Sequence, residues 1–139
     1  MDPETVVSDQ TESGKALIDA LTNAGFEVRI AFWAKPTEAG KWYLYLVSPF
    51  VDEKGPAVAY RTVLELLRQL PELWIDPMEI KLVGLNDSLA TAALGVVMSN
   101  SIQRNSKSYS RKIRLGESTL GGFAFDGAYF YPLVQPVAK

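Results

Sequence analysis

Four acidic residues and one lysine are the chain's candidates for hydrolytic chemistry: Asp52, Glu53, Asp76, Glu79 and Lys81. Carboxylate oxygens are preferred ligands of Mg²⁺, and a nearby lysine can assist an attacking water molecule. The sequence contains no cysteine and no histidine. This absence excludes thiol nucleophiles, thiolate or imidazole metal sites and catalysis by a serine–histidine–aspartate triad. The composition therefore favours a non-enzymatic protein, with an oxygen-liganded metal as the remaining catalytic option.

The segment Glu79-Ile80-Lys81 resembles the PD-(D/E)xK motif of nucleases, in which carboxylates hold Mg²⁺ and the lysine assists the attacking water. A strand here would place both charged side chains on one face. The family, however, carries its acidic partner on the preceding strand of the same hairpin. Here Asp52 is predicted to lie in a loop before an intervening helix, and Asp76 directly precedes a proline. An Mg²⁺-dependent hydrolase is our third functional hypothesis, and its alternative is a solvated strand face.

The segment Arg104–Arg114 contains five basic residues and no acidic one, although the whole chain has a net charge of −2. Basic side chains interleaved with a tyrosine and hydroxyl groups can contact phosphates and stack on an exposed base. The candidate nucleic-acid-binding residues are Arg104, Lys107, Tyr109, Arg111, Lys112 and Arg114. The alternative is a solvated loop before an edge strand, where basic residues discourage edge-to-edge pairing. Nucleic-acid binding is our second hypothesis, because no established binding motif accompanies the charges.

Two alternating segments flank a break that contains Pro36 and Gly40, and they predict an antiparallel β-hairpin over Phe26–Ser48. We expect a register that pairs Phe32 with Leu44. This register collects the following apolar residues on one face: Phe26, Val28, Ile30, Phe32, Trp42, Leu44 and Leu46. That face is predicted to form the core of the domain.

The opposite face of this hairpin presents Arg29, Trp33, Tyr43 and Tyr45. Tyrosine, tryptophan and arginine are enriched at interaction hot spots, because each buries a large area and keeps a polar end. We therefore predict a protein-interaction or ligand-binding face here. The alternatives are aromatic pairs that stiffen the sheet, or a face covered by the C-terminal segment Leu133–Ala138.

Length and composition limit the class of protein. The chain has 139 residues, of which 47% are hydrophobic and 22% charged. These values are typical of one globular domain, and we predict a single α+β domain over residues 1–139 with a disordered tail at 1–8. No apolar run approaches the ~20 residues of a membrane span, and the acidic N-terminus lacks the features of a secretory signal. We expect a cytoplasmic protein without a membrane partner.

Helix and strand signals alternate along the rest of the chain. Hydrophobic periodicity and capping residues predict helices at Gln10–Ala24, Pro56–Leu70 and Ser88–Met98. Strands are expected at Met78–Leu85 and Arg111–Leu115, before a hairpin that turns at Asp126-Gly127. The polar segment Ser99–Ser110 is predicted to be a loop, and Gly116–Gly122 a turn or, alternatively, an anion-binding nest. The order α-β-β-α-β-α-β-β-β predicts a mostly antiparallel sheet covered by about three helices gathered on one face.

Two stretches carry a resemblance to small uncharacterised bacterial proteins. They are WYLYLVSP with VDEKGP (Trp42–Pro56) and GAYFYP (Gly127–Pro132). That group has no assigned activity, so the resemblance implies no functional residue. We predict a non-enzymatic interaction or ligand-binding module without a cofactor or metal. We expect it to form a homodimer through the Trp/Tyr/Arg face or an edge strand.

Overall fold

The computed structural model describes residues 8–71, 73, 75–104, 113–115, 118–120 and 122–131, and the structural findings concern these residues. Within them the chain forms one open sheet with helices, which confirms the predicted α+β class. The helices are α1 (Ser8–Asn23), α2 (Pro49–Lys54), α3 (Pro56–Arg68) and α4 (Ser88–Arg104). The strands are β1 (Ile30–Pro36), β2 (Tyr43–Val47), β3 (Ile80–Val83), β4 (Ile113–Leu115), β5 (Ser118–Leu120) and β6 (Phe123–Phe130).

The strand order in the sheet is β3-β2-β1-β6-β4, and β5 also pairs with β6. Only the β2–β3 pair is parallel among these ladders, so the sheet is mostly antiparallel as predicted. Two parallel neighbours require a crossover connection, which α2 and α3 provide. β3 therefore lies at one margin of the sheet, far from the last strands of the chain.

Helices cover both faces of the sheet, so the expectation that they gather on one face is wrong. On the first face, which we call the α1/α3 face, helices α1 and α3 pack on Ala31, Trp33, Leu44 and Leu46. On the second, the α4 face, helix α4 packs on Phe32, Tyr45, Val47 and Phe130. The central strands are apolar on both sides, and burying both sides requires two layers of helix.

The predicted register of the β1–β2 hairpin is wrong by one residue. Phe32 pairs with Tyr45, and Trp33 pairs with Leu44. A shift of one residue moves every side chain of one strand to the opposite face relative to its partner. Alternation cannot specify the register when both faces are buried, because either pairing then places apolar groups in a core.

Local signals account for two helix boundaries. Gly25 follows α1 with a φ of 89°, a conformation that suits glycine, as predicted for the end of this helix. Residues 49–54 form α2 where the sequence had predicted a loop. The buried Ser48 caps this helix, because its Oγ accepts a hydrogen bond from the Phe50 N–H at 3.1 Å.

Helix α4 and strand β6 each differ from prediction. Helix α4 continues to Arg104, so the residues from Ser99 to Arg104 are helical and not part of a loop as predicted. Asp126-Gly127 does not turn the chain, because β6 runs through it without a break. The β1–β6 ladder shifts register at this point, and Thr37 Oγ1 donates a hydrogen bond to Asp126 Oδ1 at 2.9 Å. The dipeptide therefore serves a bulge, which places one extra residue in a strand.

Candidate interaction edge

The structure does not bring the four predicted interface residues together on one exposed face. Trp33 is fully buried on the α1/α3 face, whereas Tyr45 is buried on the α4 face. Tyr43 is half-buried on the α4 face, and the exposed Arg29 precedes β1 and pairs with Glu27. The predicted common face is therefore wrong, because it depended on the wrong register and on one face remaining uncovered.

Trp33 instead belongs to a group that we call the Trp33 centre: Trp33, Tyr131 and Thr11 are joined by hydrogen bonds, and Gly14 lies against the Tyr131 hydroxyl. Trp33 Nε1 donates to Tyr131 Oη at 2.8 Å, and Tyr131 Oη donates to the Thr11 carbonyl at 2.7 Å. Burial raises the pKa of Tyr131 above its usual range, although the bond from Trp33 opposes this shift. These two hydrogen bonds connect β1, the residue that follows β6, and α1, so their role is structural.

Most of the predicted nucleic-acid-binding residues lie outside the described part of the chain. Lys107, Tyr109, Arg111 and Lys112 are among them. Arg104 is the last residue of α4, and the backbone of Arg114 belongs to β4. Nucleic-acid binding through this segment stays a prediction.

The segment Gly116–Gly122, which was expected to be a turn or an anion-binding nest, contains β5. Gly122, at the end of this segment, has a φ of 87°.

Two carboxylates of the hydrolase hypothesis, those of Asp52 and Asp76, serve local structure. Asp52 Oδ2 accepts from the Leu85 N–H at 2.6 Å and its Oδ1 from Asn86 Nδ2 at 3.3 Å, which ties α2 to the loop before α4. Asp76 Oδ1 accepts from the Met78 N–H at 2.9 Å and caps a 3₁₀ turn. Among the described residues, no three acidic side chains are grouped closely enough to hold a metal ion.

Glu79 belongs to this 3₁₀ turn, Pro77–Glu79, and not to a strand as predicted. It therefore does not share a strand face with Lys81 in the way that the nuclease motif requires. Burial raises the pKa of the Glu79 carboxyl; Lys41 opposes this shift and Asp76 reinforces it. The structure does not assemble the predicted hydrolytic site.

The outer edge of β3 is open within the described residues, because β3 pairs only with β2 there. The Val83 carbonyl accepts from the Ser48 N–H at 2.9 Å, so the backbone of Val83 faces β2. Backbone groups alternate in direction along a strand, and Leu82 therefore directs its N–H and C=O away from the sheet. Met78, just before this strand, is 76% exposed. Such an edge can accept a further strand.

An apolar groove of about 420 Å³ lies beside this edge, between the end of α3 and the connector that leads to β3. It is lined by Leu64, Leu67, Leu70, Pro71, Leu73, Ile75 and Pro77, with Arg68 as its charged residue. The Tyr60 hydroxyl donates to the Pro77 carbonyl at 2.5 Å and holds the connector against α3. This groove was not predicted from the sequence, although a leucine recurs every three residues from Leu64 to Leu73.

A cationic and aromatic corner lies on the other side of the same edge. We call Lys41, Tyr43 and Lys81 the Tyr43 corner. The Nζ atoms of Lys81 and Lys41 lie 4.7 Å and 5.4 Å from the centroid of the Tyr43 ring. A ring face attracts cations at such distances, so the Tyr43 ring interacts with both ammonium groups. Both lysines are exposed.

Comparison of the chain with protein-family models, curated proteins and solved structures gives no match. The resemblance to bacterial proteins therefore stays a prediction. Across the described residues, no helix combines the length and apolarity that crossing a membrane requires.

Proposed function

We propose that this protein is a non-enzymatic interaction module that binds an extended segment of another protein at the outer edge of β3. The observation that carries the proposal is the continuity of the open edge with the apolar groove. Pro77 lines the groove and also begins the 3₁₀ turn that leads directly into β3. An added strand would therefore contact both surfaces at once.

The two surfaces supply the two contributions that strand addition requires. Outward backbone groups such as those of Leu82, which have no partner among the described residues, provide hydrogen bonds that do not depend on the partner's sequence. The groove binds alternate side chains and so provides selectivity. A bound segment would bury the half-buried leucines of the groove further, and this burial would stabilise the complex. Each Å² of apolar surface that is removed from water contributes about 25 cal/mol.

Selection of displayed linear peptides, each about eight residues long, tests this proposal directly. Peptides selected on the purified protein are then titrated against two variants. Leu70→Asp places a charge in the groove, and Leu82→Pro removes an outward N–H without affecting the β2–β3 ladder. We expect each variant to weaken binding by about tenfold or more. Amide exchange at Ile80–Val83 should slow when peptide is bound.

Leu94→Asp is the matched control, because Leu94 is 47% exposed on α4 and lies outside the groove. This variant should bind the selected peptides as the wild type does. Circular dichroism shows whether each variant retains the fold. The proposal is wrong if no peptide is selected, or if the selected peptides bind both edge variants with wild-type affinity.

A further inference from the structure

The edge of β3 differs in chemistry between the two faces of the sheet. Ile80 is buried and Leu82 half-buried on the α1/α3 face, where the groove also lies. Lys81 lies on the α4 face, beside Tyr43. Side chains of an added strand alternate between the same two faces. Each face therefore selects every second residue of the partner.

The α1/α3 face selects apolar residues. Seven of the eight groove-lining residues are leucine, isoleucine or proline, so a charged side chain there would lose its hydration unless it reached Arg68 at the rim. Leu82 extends this apolar surface along the strand itself. A branched aliphatic side chain at alternate positions fits this face.

The α4 face selects a negative charge. Two exposed ammonium groups lie within 5.4 Å of the Tyr43 ring centroid, so this corner carries positive charge and attracts a carboxylate. Neither lysine forms a salt bridge within the described part of the chain. Glu79 interacts electrostatically with Lys41 and partly compensates its charge. Lys81 is therefore the lysine that we expect to attract an incoming carboxylate more strongly.

Building on the proposed function, we infer that the partner is an extended protein segment in which aspartate or glutamate alternates with aliphatic residues. Its carboxylate binds Lys81 on the α4 face, and its aliphatic neighbours bind in the groove. A second copy of this chain fits less well, since pairing β3 with β3 about Lys81 would oppose two lysines directly.

Three synthetic peptides test the inference. Each has about eight residues with valine or leucine at alternate positions, and a central residue between them that is Glu, Gln or Lys. We expect the wild-type protein to bind the Glu peptide about tenfold more tightly than the Lys peptide, with Gln between them. In Lys81→Glu this order should reverse. The preference should also weaken as salt is added.

The control is Lys54→Glu, which makes the same change at an exposed lysine of α2. It should keep the wild-type order. If Lys81→Glu also keeps that order while Leu70→Asp weakens all three peptides, the inference is wrong and the proposed function stands. If none of the three peptides binds although displayed peptides are selected, the inference is wrong and the proposed function stands; if no displayed peptide is selected either, both are wrong. If sedimentation shows a dimer that Leu82→Pro dissociates, the occupant is a second copy and the inference is again wrong.

Discussion

Trp33 and Tyr43 were predicted to share one face, yet the structure gives them opposite roles. Trp33 lies on a central strand under α1, is fully buried and donates to Tyr131. Tyr43 begins β2 on the other face, is half-buried and carries two lysines over its ring. The two residues are both aromatic, but they differ in how completely the surrounding elements bury them. An aromatic residue belongs to the core where a helix packs over it, and it remains accessible to other molecules where no helix covers it completely.

The largest expected effect is at Trp33. Replacing it in Trp33→Ala removes a large buried side chain and the donor to Tyr131, and we expect a loss of about 3–5 kcal/mol in the free energy of unfolding. Urea denaturation followed by circular dichroism measures this loss. A loss below about 1 kcal/mol would place Trp33 outside the core and contradict the comparison.

Gly14 gives the next largest effect. A Cβ at this position would collide with the Tyr131 hydroxyl and approach Trp33 Nε1 to 3.1 Å. We expect Gly14→Ala to destabilise by about 1–3 kcal/mol, although alanine is the better helix former. Thermal or urea unfolding measures the change. The matched control is Gly95→Ala in α4, where a Cβ would meet nothing within 4 Å, and we expect it to stabilise by about 0.5–1 kcal/mol. Equal signs for the two variants would contradict the packing described at Gly14.

Tyr45 connects the two regions, since it stacks on Phe32 with ring centroids 5.0 Å apart and neighbours Tyr43. Burial, reinforced by Tyr43, raises the pKa of Tyr45 to about 12 from an ordinary value near 10. The stability that this shift contributes is complete below a pH of about 10 and is lost as the pH rises through about 12. We expect Tyr45→Phe to lose less stability than the wild type across this range.

Urea unfolding midpoints measured from pH 8 to pH 12 test this prediction. For each protein, the change in midpoint is calculated relative to its own value at pH 8. The wild-type curve should fall more steeply than that of Tyr45→Phe above a pH of about 10. Parallel curves would show that Tyr45 ionises as readily in the folded as in the unfolded chain.

The smallest effect is expected at the Tyr43 corner. Tyr43→Leu keeps an apolar side chain and removes the ring beneath the two lysines, so we expect a loss of about 0.5–1 kcal/mol. A double-mutant cycle with Lys81→Met isolates the contact between the Lys81 ammonium and the ring. Zero coupling between the two positions would show that the ring does not hold Lys81.

Much of the secondary structure could be predicted from local signals. The helix that ends before Gly25 and the helix that begins at Pro56 follow from glycine, proline and hydrophobic periodicity. The dipeptide Asp126-Gly127 misled the prediction, because its usual turn conformation gave way to a bulge against β1. The Ser48 cap of α2 was present in the sequence, but the prediction ended a hairpin at Ser48 and expected a loop after it.

The candidate site was less predictable than the elements that build it. Lys81 and Tyr43 come from different strands, and their meeting depends on the parallel β2–β3 pair. The groove depends on the Tyr60–Pro77 hydrogen bond, which joins α3 to the connector across 17 positions. No local pattern encodes such contacts.

The sequence by itself determined the kinds of elements, their approximate positions and the absence of cysteine and histidine chemistry. These properties depend on neighbours in the chain, on periodicity and on composition. Only the tertiary structure decided the register of β1 against β2, the face that each aromatic residue occupies and the position of β3 at the margin. The physical reason is that a strand with two apolar sides is compatible with either register, and distant helices must cover those sides before one pairing is favoured.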